Sequence, residues 1–238
     1  MPDMSMSSRA AALATAACVV LPVAAGCAAL KQISANSHTG PAQNFTITAH
    51  ITTVVINGGA ASITVTGSTR RSVLVSQQPY YSKKPPATTR RVTGTTLTLS
   101  YNCLSDVVCG VTYTVQVPRA VAIRADSRAG SITITSVAGA VNASTDAGLI
   151  TATDLRSTAV RLKSNAGGIV AAFSGVPTSV SASTNVGPIS ITLPGSVAYQ
   201  INTHTYVGTS NVSVRKSASP AHVITASSDL GSITISPG

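Results

Sequence analysis

Six glycines recur through the second half of the chain, and they constrain its fold more than anything else in it. Gly130, Gly148, Gly167, Gly187, Gly208 and Gly231 stand 18, 19, 20, 21 and 23 residues apart. Seven residues before each glycine stand Ile123, Val141, Val160, Val180, Ile201 and Ile224. Five before stand Ala125, Ala143, Leu162, Ala182, Thr203 and Ala226. Two after come Ile132, Ile150, Ile169, Ile189, Ser210 and Ile233, and four after come Ile134, Ala152, Ala171, Ile191, Val212 and Ile235. The residues between are mostly polar. This is period-two alternation on both sides of a turn, so each unit reads as strand, turn, strand with one face buried. Repetition at about 18–23 residues predicts an all-β solenoid whose coils stack into one continuous core. A β-sandwich is the rival, because it also yields short alternating strands. It gives no reason for the same residue type to return at the same offset six times.

The turn has its own chemistry. Asp146, Asn165, Asn185 and Asp229 stand two residues before Gly148, Gly167, Gly187 and Gly231. Asx side chains bond nearby backbone, and glycine supplies positive φ, so these eight residues are assigned to structural turns. The unit at Gly130 breaks the pattern with Arg128, and the unit at Gly208 with Tyr206.

The first half is also strand-rich but less regular. It is expected to continue the same sheets and cap them at one end, giving one repetitive domain over 45–238. Its charged feature is the segment between Arg70 and Arg91. Arg70, Arg71, Lys83, Lys84, Arg90 and Arg91 occur there with no acid among them, beside Tyr80 and Tyr81. Pro79, Pro85 and Pro86 make the middle of this segment read as an extended loop. Its functional reading is a contact for anionic wall polymer or lipid headgroups; the alternative is a solvated loop that keeps the chain soluble.

Charge narrows the function classes. Charged residues make up 9% of the chain, Glu is absent, and the net charge is +10. That balance favours anionic neighbours without choosing among them. A polysaccharide-active site would need clustered carboxylates. Asp146 and Asp229 occupy turn positions that Asn fills in sister units, which points to a hydrogen-bonding role. Asp126 near Asp146, with Arg124 or Arg128 beside them, is the one pairing with catalytic potential. His38, His50, His204 and His222 are scattered. No serine-nucleophile elbow, phosphate loop, dinucleotide fingerprint or metal-ligand spacing occurs. The expectation is no enzyme, no cofactor, no metal and no nucleic acid.

The N-terminus supplies an address. Arg9 precedes the apolar run Ala10 to Gly26, which reads as a signal sequence over 1–26. The run closes in Val23-Ala24-Ala25-Gly26-Cys27, which resembles the lipobox of bacterial lipoproteins, with Ala24 where Leu is commonest. In that family the cysteine is acylated and the signal is cut before it, so Cys27 is the expected lipidation site. The protein would then sit at the cell membrane through a lipid anchor on the extracytoplasmic side; the alternative is a secreted protein. Residues 27–44 read as a flexible tether. Cys103 and Cys109 suggest a structural disulfide in an exported chain.

The stretch Val111 to Thr135, with its Tyr113-Thr114-Val115-Gln116-Val117-Pro118 strand and Gly-x-Ile units, resembles the bacterial putative-adhesin domain of unknown function. The likeness spans most of residues 50–236. It implies a β-solenoid in exported or membrane-attached proteins and carries over no catalytic residue. The expected function is a lipid-anchored extracytoplasmic binding or scaffold module of the cell envelope, adhesin-like, with no ligand assigned. The alternatives are a β-helix polysaccharide-active enzyme and an accessory part of an envelope-stress system.

Overall fold

The computed structural model describes residues 37–60, 62–103, 108–218 and 221–238. The signal sequence, Cys27, the tether as far as residue 36 and Asp106 lie outside the described residues. The chain is all-β there. Among the described residues eight two-strand coils follow the same plan, the first strand of each joining one sheet and the second joining the other.

In chain order, β1 (His38–Thr39) and β2 (Gln43–Ile47) precede the coil β3 (Thr53–Gly58)/β4 (Ile63–Ser68). Two cap strands follow, β5 (Val73–Tyr81) and β6 (Ala87–Thr93). Then come the coils β7 (Thr96–Asn102)/β8 (Cys109–Pro118), β9 (Ala122–Ala129)/β10 (Ile132–Thr135) and β11 (Val141–Ala147)/β12 (Ile150–Leu155). The last four are β13 (Ala159–Ala166)/β14 (Ile169–Phe173), β15 (Ser179–Val186)/β16 (Ile189–Leu193), β17 (Gln200–Val207)/β18 (Ser210–Val212) and β19 (Val223–Leu230)/β20 (Ile233–Pro237). With the pair at β3/β4 these make eight strand–turn–strand units on one plan, seven of them stacked on it by parallel pairing alone. Coil-on-coil pairing is parallel, which separates the fold from an antiparallel sandwich.

The stacking order is not the chain order. One sheet runs β17-β19-β15-β13-β11-β9-β3-β7-β6 and the other β1-β5-β8-β4-β10-β12-β14-β16-β20-β18, with β2 also on β5. After β15/β16 the chain skips one slot, builds the outermost coil β17/β18, and returns to fill the gap with β19/β20. The return falls between β18 and β19, which accounts for the longest glycine spacing. At the other end β7/β8 lies outside β3/β4, so the chain again doubles back to lay down β9/β10.

Register explains the repeated offsets. Ile123, Val141, Val160, Val180, Ile224 and Ile201 stack in one inward row. Ile132, Ile150, Ile169, Ile189 and Ile233 stack in another. All except Ile201 are buried in one apolar core. Each such side chain contributes about 1.5–3 kcal/mol on burial. In the outermost coil the inward positions 203 and 210 turn polar while Ile201 and Val212 still pack on the core, and Ser210 Oγ donates to Thr203 Oγ1 at 2.9 Å across its end.

The opposite end is closed by antiparallel strands, β5 on β8, β1 and β2 on β5, and β6 on β7. Buried Gln77 ties the two sheets there, its Nε2 donating to Gln43 Oε1 at 2.8 Å and Thr88 Oγ1 at 3.0 Å. The Arg90 guanidinium lies over the Phe45 ring at 4.1 Å. Two expectations are corrected here. The folded unit begins at Ser37, so part of the expected tether is paired strand. Pro79 lies inside β5 opposite Val111 rather than in a loop, and its carbonyl accepts from the Gly40 N–H at 2.8 Å.

Candidate functional site

The out-of-order stacking at the capped end brings distant residues to one groove on the turn rim. It has a volume of about 720 Å³ and is lined by Asn57, Tyr101, Asn102, Asp126, Arg128, Ser144 and Asp146, with the disulfide between Cys103 and Cys109 at its wall. Pairing sets Asn57 and Ser144 on either side of Asp126. Ser144 Oγ donates to Asp126 Oδ1. Asn165 Nδ2 donates to Asp146 Oδ1 at 2.8 Å. Both carboxyl groups are exposed, and each accepts one of these hydrogen bonds. The groove therefore presents two carboxylates, one guanidinium, amides and hydroxyls beside a tyrosine ring. That set hydrogen-bonds a polar ligand.

Three tyrosines pack behind the groove. Tyr80 Oη donates to the Ala60 carbonyl, and burial pushes its pKa up. Burial and the neighbouring Tyr80 push Tyr101 up to about 12, against the backbone groups of Gly59, Ala60 and Val111. Tyr113, fully buried with its ring 6.4 Å from that of Tyr101, is also raised by burial and by Tyr101. An unfolded phenol ionises near 10. The stabilising contribution of these phenols is thus complete below pH ~10 and is lost as pH rises through their higher folded values. We expect the denaturant midpoint to fall from about pH 10 upward, alongside tyrosinate absorbance. Tyr113→Phe should flatten that fall and leave neutral-pH stability nearly unchanged, since the Tyr113 hydroxyl has no hydrogen-bond partner. A variant as alkali-sensitive as the parent would refute the assignment.

The basic segment between Arg70 and Arg91 does not form one surface. Arg70 and Arg71 follow β4, while Lys83 and Lys84 lie beyond the far end of the nine-residue β5, about 30 Å away at strand rise. Arg90 and Arg91 belong to β6 in the other sheet, with Arg90 on Phe45. Tyr80 is turned inward to Ala60, and Tyr81 packs against the His38 ring at 6.1 Å. The scattered histidines stay apart: His204 packs on Tyr206 at 4.8 Å, and His222 Nδ1 contacts the Pro177 carbonyl at 2.9 Å. Among the described residues no group of three or more His, Cys, Asp or Glu is placed to hold a metal ion, and no helix is long and apolar enough to cross a membrane.

The turn residues stack coil on coil. Asn165 bonds its neighbour Asp146 across coils, where the sequence suggested a bond to local backbone. Gly167 takes φ 148°, and a Cβ there would collide with the Gly148 carbonyl. Gly187 takes φ 142°, whereas Gly231 is not among the positive-φ residues, and a Cβ there would meet the Gly187 carbonyl and the Ser228 hydroxyl. Sequence reasoning missed a further ladder. Ser127, Thr145, Ser164, Thr184 and Ser228, each three residues before its glycine, are buried. Each donates its hydroxyl to a turn carbonyl of the next coil, at 2.9–3.2 Å. Their parity with the inward rows was the available signal.

No family model matches the chain, and no curated protein is similar to it. Solved structures of low identity are similar. A putative cell adhesion protein from Clostridium sporogenes is 14% identical, with 83% of this chain and 100% of that one covered and a TM-score of 0.45. A putative adhesin from Bacteroides fragilis is 16% identical, with 83% and 97% covered and a TM-score of 0.47.

Proposed function

We propose that the protein is a lipid-anchored, extracytoplasmic binding module of the cell envelope, adhesin-like, attached through Cys27. One observation carries the binding reading. The polar and charged side chains stand in fixed rows on exposed sheet faces and in an open rim groove, over a core built only to hold them in register. Such a scaffold loses little conformational entropy when a long ligand lies along it. The anchor rests on the apolar leader and the Gly26-Cys27 junction, and two or more acyl chains give stable attachment. Intact mass and membrane partitioning of the parent against Cys27→Ser test it. The parent should carry the mass of acyl chains and stay with membranes, and the variant should be released. A parent that is unacylated and soluble would overturn the anchor and leave a secreted binding module.

A further inference from the structure

The broad outer face of the β17-to-β6 sheet carries a row of side chains that runs from Arg91 away from the segment between Arg70 and Arg91 and outside the rim groove. Strand register aligns Arg91, Thr98, Val55, Arg124, Asn142, Arg161, Ser181, Thr225 and Asn202 in order along the solenoid. The only charges in that row are the three arginines, and all three are exposed. Neighbouring strands stand 4.7–4.9 Å apart, so Arg124 and Arg161 are about 10 Å apart and Arg91 lies about 14 Å beyond Arg124. A groove of about 550 Å³ runs here, lined by Thr53, Val55, Arg124, Asn142, Arg161 and Ser181 among others. Lys163 adds a further cation two residues along β13.

The same face is divided by charge. Asp126, two residues along β9 from Arg124, lies toward the glycine turns with Asp146 and Asp229, on the rim side. Away from the rim, Asp154 stands near the end of β12 in the other sheet, its carboxyl held low first by the Ser136 and Ser174 hydroxyls and then by Arg156 and Arg119. The three arginines thus stand in one row along the solenoid, with Thr98 and Val55 between Arg91 and Arg124, Asn142 between Arg124 and Arg161, and Lys163 to the rim side of the row.

We propose that this row is a docking track for a linear phosphodiester polymer of the envelope, lying along the solenoid axis with its phosphates on Arg91, Arg124 and Arg161. The proposal rests on the binding-module reading and names its ligand class. Guanidinium groups grip phosphate oxygens in a bidentate manner, and a rigid register fixes where successive anions must fall. A single-file row suits a chain better than an anionic membrane. A membrane pressed on the whole face would also meet Asp126, Asp146 and Asp229.

The test compares poly(glycerol phosphate) binding by the purified full chain, by Arg91→Gln/Arg124→Gln/Arg161→Gln, and by the control Arg70→Gln/Arg71→Gln. Far-UV circular dichroism checks that each is folded, and phosphatidylglycerol vesicles form a second arm. The track predicts that the triple variant loses at least tenfold in affinity. Its plot of log affinity against log salt should flatten by about two, as three counterion-releasing contacts disappear. The control should change less than threefold. Equal losses in triple variant and control would overturn the track in favour of overall charge. Loss of vesicle binding with polymer binding intact would make the occupant a membrane and also overturn it. A parent that ignores the polymer yet still binds isolated envelope fragments would refute the track while leaving the binding module standing. A parent that binds neither would refute both.

Discussion

Removal of residues 221–238 is expected to collapse the C-terminal third of the fold rather than trim its end. Those residues include β19 and β20, which lie between β15/β16 and β17/β18 and pair on both sides. Without them β17/β18 has no partner coil in either sheet, and the inward side chains of β15/β16 are uncovered. The lost burial of Ile224, Ile233 and Ile235 alone is worth on the order of 5–9 kcal/mol. That matches the whole stability of many domains, about 5–15 kcal/mol. The shortened chain should therefore aggregate, or melt far below the parent, with early proteolysis between 194 and 220. Had the coils stacked in chain order, the same cut would only peel off an outer coil. A truncated protein that melts within a few degrees of the parent and keeps 200–212 protected would overturn the topology.

The second large effect is expected from Gly167→Ala, read against Gly94→Ala. Both glycines have positive φ, 148° at Gly167 and 58° at Gly94. An added Cβ at Gly94 meets nothing within 4 Å, so the cost there is conformational only, about 1 kcal/mol. At Gly167 the Cβ meets the Gly148 carbonyl and the Ser164 hydroxyl. That hydroxyl donates to the same carbonyl at 3.1 Å, so relieving the clash means parting two coils and breaking a buried hydrogen bond. The combined loss should be on the order of 3 kcal/mol or more by denaturant unfolding. Equal losses at the two sites would mean that the turns stack less closely than described.

The repeat was legible because stacking makes every coil solve the same packing problem, and the solution shows as residue type at fixed offset. Stacking order was not legible, because an inward row looks the same whichever coil lies beside it. One clue was present: Thr203, Tyr206 and Ser210 depart from the pattern in the unit at Gly208, and that unit is the outermost coil. β5 was hidden by Pro79, whose missing N–H argues against a strand. The rim groove was invisible for a different reason. Asn57, Tyr101 and Asp126 lie far apart in sequence and meet only because β7/β8 folds outside β3/β4. Asp126 and Asp146 were recognised as neighbours from the repeat alone, since adjacent coils fix them one strand apart.

The doubled-back coils also bear on how such a chain can change length. A coil encoded after β20 would start from a strand already flanked on both sides, and would have to cross β17/β18 before reaching an open edge. A coil duplicated between β9 and β16 meets no such obstacle, because its neighbours in sequence are its neighbours in the sheets. Lineages of this architecture should therefore grow and shrink from the middle, carrying their two ends along unchanged.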